Sequence, residues 1–202
     1  MDRAPQPPLR TSPWEGLIHG GWHTWFGSVA GVVMLTALAF PLAAVLVWAI
    51  GRRRGLPVAL ADVGMVYGTV PFVWVTLLPG YRAGAEPGRV SLVPFRDLIA
   101  IAESSAAVGQ IGGNLLVLAA LGFFAPMRFR ALASVPRILA LAAGCSIVIE
   151  TAQYVLRLDR VSSIDDVLLN AVGAALAAAA SRRWWECSGS VTSATAAVAR
   201  TG

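Results

Sequence analysis

Apolar runs long enough to cross a bilayer alternate with short polar stretches along most of this chain. A transmembrane helix needs about 20 apolar residues to span roughly 30 Å of hydrocarbon. Five segments approach that length, at 28–50, 58–79, 107–126, 137–156 and 164–180, and they predict an all-α, polytopic transmembrane helix bundle. The last is the shortest and starts among acids. A further apolar stretch, 98–106, is too short to cross and is interrupted by Glu103, which predicts a re-entrant or interfacial piece. The odd number of spans and the lack of a convincing internal repeat disfavour the symmetric halves of many transporters.

Composition agrees with the pattern. Of the 202 residues, 56% are hydrophobic and 13% charged, whereas a soluble domain carries roughly 25% charge. The mean hydropathy is +0.67. The net charge is +5, and all 16 basic residues are arginine. In a soluble domain such basicity raises nucleic-acid binding. Here the arginines stand in short runs between apolar spans, so they mark topology and contact with lipid phosphate, and no nucleic-acid partner is expected.

Arg52, Arg53 and Arg54 crowd the first loop, Arg128, Arg130 and Arg137 mark the third, and Arg182 and Arg183 follow the fifth span. On the other side Arg82, Arg89 and Arg96 are spread over a longer loop that also carries acids. This bias predicts the N-terminus outside and the C-terminus in the cytoplasm. Trp22 and Trp25 then stand at the outer start of span one, and Trp184 and Trp185 at the inner end of span five. Residues 1–27 read as an extracytoplasmic segment without the pattern of a cleavable signal peptide. Two N-terminal spans occupy 28–79 and three more fall within 80–180. The Ser-, Thr- and Ala-rich segment 181–202 reads as a cytoplasmic, disordered tail. Cys145 and Cys187 suggest no disulfide or metal site, and His19 and His23 read as interfacial residues. No cofactor or metal is expected. Asp62 is expected to snorkel or to pair with the Arg52–Arg54 run.

Ionisable groups in hydrocarbon are costly and face a bundle interior or a wet cavity where they persist. They gather in residues 145–173. Ser146, Glu150 and Gln153 fall at i, i+4 and i+7 on one helix stripe, which Arg157 extends to the surface. Asp166, Asn170 and Gly173 repeat that spacing on the next helix. At ~1.5 Å rise per residue, Glu150 and Asn170 lie about 10 Å below the outer surface. Asn114 comes to a comparable level. Amides in membrane helices often only cross-link neighbours, at about 0.6 kcal/mol each. A carboxylate at this depth needs a partner, and Arg157 and Arg160 are the nearest. Asp165 and Asp166 also fit as N-terminal helix charges, with Ser163 as the cap. The expected ligand-binding set is Asn114, Glu150, Gln153, Arg157, Arg160, Asp165, Asp166 and Asn170. No catalytic residue is identified.

Three stretches resemble the VanZ-like family of membrane proteins. Arg89-Val90-Ser91-Leu92-Val93-Pro94-Phe95 is similar to the family's Asn-Leu-x-Pro-Phe element. Residues 114–123 form the second stretch, which ends near Pro126. The third combines Ser146, Glu150-Thr151-Ala152-Gln153, Arg160, Asp165-Asp166, Asn170 and Gly173. Ser91 stands where Asn is usual, Leu118 and Ala120 replace the family's Phe-x-Pro-x-Gly residues, and Ala177 replaces a final Gly. The resemblance makes 80–180 the VanZ-like core. It implies a bacterial cell-envelope role, linked through the family's name to low-level resistance to the lipoglycopeptide teicoplanin.

Three functions compete on these residues. An outward-facing polar site could bind a membrane lipid, a lipid-linked cell-wall precursor or the glycopeptide itself, with arginine suited to phosphate. A lipid-modifying enzyme could use Glu150 with Asp165 or Asp166 as paired carboxylates. Against it, there is no His near the cluster, no Gly-x-Ser-x-Gly elbow, no zinc helix and no P-loop. A proton-coupled carrier using Glu150 ranks last, for want of a repeat.

Overall fold

The computed structural model describes residues 27–85, 87–102 and 104–186. His19, His23, Trp22, Trp25, Glu103, Cys187 and the rest of the two terminal segments lie outside the described residues. The described chain is helical apart from a two-stranded parallel sheet and loops. In order, α1 covers Val29–Arg54, α2 Leu56–Thr76, β1 Arg89–Ser91, α3 Arg96–Ala102, α4 Ala107–Val117 and α5 Ala119–Arg128. A single 3-10 turn, Arg130–Leu132, leads to α6 at Val135–Val155, β2 at Val161–Ser163 and α7 at Ile164–Ala180.

Four stretches are long and apolar enough to cross a membrane: α1, α2, the α4–α5 pair and α6. The expected fifth span forms α7 over the anticipated residues, but at 17 residues it is shorter than the others. The count of membrane-length helices is therefore four, not five. The composition of α7 differs as well. Its run of Ala and Gly is apolar without being bulky, and it serves the bundle interior: Ala171, Gly173, Ala174, Ala175 and Ala178 are all buried.

Small residues let helix backbones approach closely, which is how helices associate where no hydrophobic force separates protein from lipid. A Cβ at Gly173 would overlap the Leu115 carbonyl of α4, and one at Gly122 of α5 would overlap the Ala174 backbone of α7. The core cluster grows from this contact, joining Val117, Leu118 and Ala125 to Ile138, Ala142 and Ile149 of α6. Cys145 packs against it as a partly buried, free thiol.

At one end of the bundle, Arg128 Nε meets Asp62 Oδ1 at 2.6 Å and ties α5 to α2. Asp62 thus pairs with Arg128 rather than with the Arg52–Arg54 run, which finishes α1. The ring of Trp184 packs on Phe123 with centroids 5.5 Å apart, and Trp185 Nε1 donates to Ala178 O at 3.3 Å. At the other end the loops are polar and stitched together. There β1 and β2 pair in register, Arg89 with Val161 and Ser91 with Ser163. Gly80 N donates to Leu158 O and Gly84 N to Arg157 O, each at 2.9 Å.

Candidate functional site

The paired strands bring the segment before α3 over the start of α7. Asp165, at 3% exposure, holds that segment in place. Its Oδ1 accepts from Phe95 N at 2.6 Å, and its Oδ2 accepts from Asp97 N at 3.1 Å and Leu98 N at 3.0 Å. A carboxylate is a strong acceptor for otherwise unmet amides at a helix start. Ser163 caps α7 itself, accepting from Asp165 N at 3.2 Å, and donates to Asp97 Oδ2 at 2.7 Å. The Ser163 hydroxyl holds the Asp97 carboxyl below the usual carboxylate range. Asp97 and Asp165, adjacent acids on different segments, are thereby reconciled through one hydroxyl and a row of backbone amides.

Beneath this cap lies a polar cavity of about 430 Å³. Gln110 and Asn114 reach it from α4, Glu150 and Gln153 from α6, and Asp166 and Asn170 from α7. Thr76 at the end of α2 and Arg160 in the loop before β2 complete its polar wall. The helical spacing explains the convergence: residues three or four apart share a face, so each helix presents two polar groups on successive turns.

Each group is held. Glu150, 8% exposed, accepts from Ser163 N at 3.1 Å through Oε2, and its backbone carbonyl accepts from Ser162 Oγ at 2.9 Å. Gln153 Nε2 donates to Thr76 O at 2.9 Å, Asn170 Nδ2 donates to Ser146 Oγ at 2.8 Å, and Asn114 Nδ2 donates to Asp166 Oδ1. These bonds fix positions in a low-dielectric setting, where an unmet polar group is expensive.

Of the eight residues expected to bind a ligand, six line this cavity: Asn114, Glu150, Gln153, Arg160, Asp166 and Asn170. The other two are placed elsewhere. Asp165 turns its carboxylate to the backbone amides of the 95–98 segment. Arg157 sits exposed in the turn after α6, at φ 50°, so the helical stripe ends before it and does not carry it onto the wall. Gln110 was missed, although it stands four residues before Asn114 and the same spacing argument reaches it. Thr76 contributes a backbone carbonyl to Gln153 across the bundle, a long-range pairing that no local pattern encodes.

A second hollow, of about 400 Å³ and mostly apolar, lies on the far side of Glu150. Val90 of β1 and Leu92 just after it, Ile147 and Tyr154 of α6, and Ile164 and Val167 of α7 line it. Glu150 is common to both walls.

The polar stripe, the strand pair and the Asp165 clamp all fall within residues 65–185, which match the VanZ/LLP1 family over more than half of the chain. The chain belongs to the VanZ/LLP1 family. No curated protein and no solved structure matches it. Within this VanZ-like protein, the Arg89–Phe95 element provides β1 and the Phe95 amide that meets Asp165, and the Glu-x-x-Gln element provides one side of the cavity. Ser91, where the resemblance expects Asn, lies in β1 opposite Ser163. Helix α1 lies outside the matched region.

Proposed function

We propose that this VanZ-family membrane protein holds a lipid or lipid-linked head group in the polar cavity beneath the strand cap, and that it does so in the bacterial cytoplasmic membrane. The observation that carries this reading is a polar cavity of about 430 Å³ inside a bundle of membrane-length apolar helices. Ligand cavities typically run from roughly 300 to 1,000 Å³, so the space suits a head group. Polar groups at this depth would otherwise be a cost without return.

The orientation that accompanies this proposal puts the N-terminus outside and the C-terminus in the cytoplasm, with α7 running back inside the bundle beside α6. The cavity then opens towards the outer face, and Arg52–Arg54, Arg128 and Arg137 take the cytoplasmic side. A lipid-linked precursor or an envelope lipid held there would alter the access of a glycopeptide to its target, which is the proposed link to teicoplanin resistance.

The test is teicoplanin susceptibility of a sensitive Gram-positive host expressing the wild type or Glu150→Gln at matched membrane levels. Protection by the wild type alone supports the reading. Equal protection from both sinks it.

The presence of two carboxylates, Glu150 and Asp166, on one wall favours a second reading, in which the site turns over a lipid by general acid–base chemistry. Incubation of the purified protein with lipid extracts distinguishes the two, because binding alone leaves the lipid chemically unchanged.

A further inference from the structure

The hydrogen bonds on the cavity wall are one-sided. Three amides there each give an N–H to the protein itself: Asn114 to Asp166, Gln153 to Thr76 O, and Asn170 to Ser146. Two of these orientations are forced, because a backbone carbonyl and a carboxylate only accept. Among the acceptors on this wall, Asn170 Oδ1 stands out. The residue is 2% exposed and on the cavity wall, and this atom has no hydrogen-bond partner among the described residues. A buried acceptor left unmet costs on the order of 1–3 kcal/mol, so its presence calls for a donor from outside the chain. Glu150 and Asp166 add carboxyl oxygens to the same wall.

We propose that the cavity takes a primary ammonium group carried beside a phosphate on a lipid head group. The inference rests on the head-group reading above and names the ligand's chemistry. An ammonium brings three donors and one positive charge, which answers Asn170 Oδ1 and the two carboxylates together. Arg160 on the same wall supplies a guanidinium for the phosphate. The size of the cavity argues against a bare metal ion, since a water-sized occupant fills only about 30 Å³. The apolar hollow that shares Glu150 receives the chain attached to the head group and favours an amphiphile over a soluble amine.

The experiment is native mass spectrometry of the full chain in detergent, titrated separately with phosphatidylethanolamine, phosphatidylcholine and phosphatidylglycerol. Phosphatidylethanolamine should bind at least tenfold more tightly than the other two. Asp166→Asn, which keeps size and shape, and Asn170→Leu should each remove that preference. Soluble phosphoethanolamine, added as competitor, separates the sources: displacement at millimolar concentration shows that the head group suffices, and no displacement shows that the chain is required.

Phosphatidylglycerol binding as tightly, and weakening in the same variants, overturns the ammonium assignment and leaves the head-group site standing. Binding of every lipid that is indifferent to both substitutions overturns the head-group site as well.

Discussion

Helices α1 and α7 are both apolar, yet the molecule uses them in opposite ways. Along the 26 residues of α1 only Gly31 and Val32 are buried, and bulky side chains such as Leu38, Phe40 and Trp48 stand outward. Helix α7 is shorter and buries seven of its residues, two of them polar. Apolar content alone does not separate a lipid-facing helix from a protein-facing one. Side-chain size does. Bulky residues make a surface for lipid, and Ala and Gly make a surface for other backbones. Helix α7 can also carry Asp165 and Asn170 because its neighbours, unlike lipid, offer hydrogen bonds.

The sharpest way to break this comparison is Gly173→Leu. The new side chain would overlap the Leu115 backbone, and α7 would lose its seat against α4. Overpacking of a tight interface costs typically 1–3 kcal/mol, and more where backbone must move. The expected outcome is a protein recovered at a small fraction of the wild-type membrane level, with a broad gel-filtration profile. Next comes Asp165→Asn. Hydrogen bonds to a charged acceptor are worth roughly 1.5–3 kcal/mol, and this substitution weakens a set of three. The bundle should persist while the amides of Phe95, Asp97 and Leu98 lose their protection in hydrogen exchange. Unchanged protection would show that the strand pair holds the cap without the carboxylate.

A smaller effect is expected from Ser163→Ala. The lost helix cap costs about 1 kcal/mol, and Asp97 loses the hydroxyl that holds its carboxyl low. A lowered native pKa stabilises the fold above the usual carboxylate range, and that contribution is lost as pH falls through the lowered value. In the variant the Asp97 carboxyl should therefore titrate at a higher pH, and acidification should remove less stability through this group. Carboxyl chemical shifts measured across the acid range check this. The smallest effect belongs to α1. Leu38 is 67% exposed, so Leu38→Ala should change stability by no more than about 0.5 kcal/mol. A large loss there would show that α1 has a partner, and the contrast with α7 would narrow.

The same contrast explains what was legible in the sequence. Runs of apolar residues announce helices, and α1, α2, α4–α5 and α6 appear close to where the pattern puts them. The stripes Ser146–Glu150–Gln153 and Asp166–Asn170–Gly173 are also plain, because spacings of three and four project onto one face. These stripes carry most of the cavity wall. Three features were not legible. The role of α7 as an interior helix depends on how neighbours pack, and a window of hydropathy scores Ala as it would a lipid-facing residue. The fate of Asp165 depends on the backbone of residues 95–98, brought near by the strand pair. The partner of Asp62 is Arg128 rather than the closer arginines of the first loop, because α2 packs along α5 and the chain geometry, not sequence distance, selects the ion pair.

The parallel pairing of β1 with β2 bears on how the protein is made. Strand β1 leaves the ribosome long before β2, with α4, α5 and α6 synthesised between them. Until then its backbone groups have no ladder to join, the Phe95 amide has no carboxylate, and Glu150 lacks the Ser163 N–H. The cavity is thus closed by some of the last described segments to arrive. A nascent chain halted after α6 would hold every membrane-length helix and only part of the cavity wall, so a complete cavity reports that synthesis has reached α7.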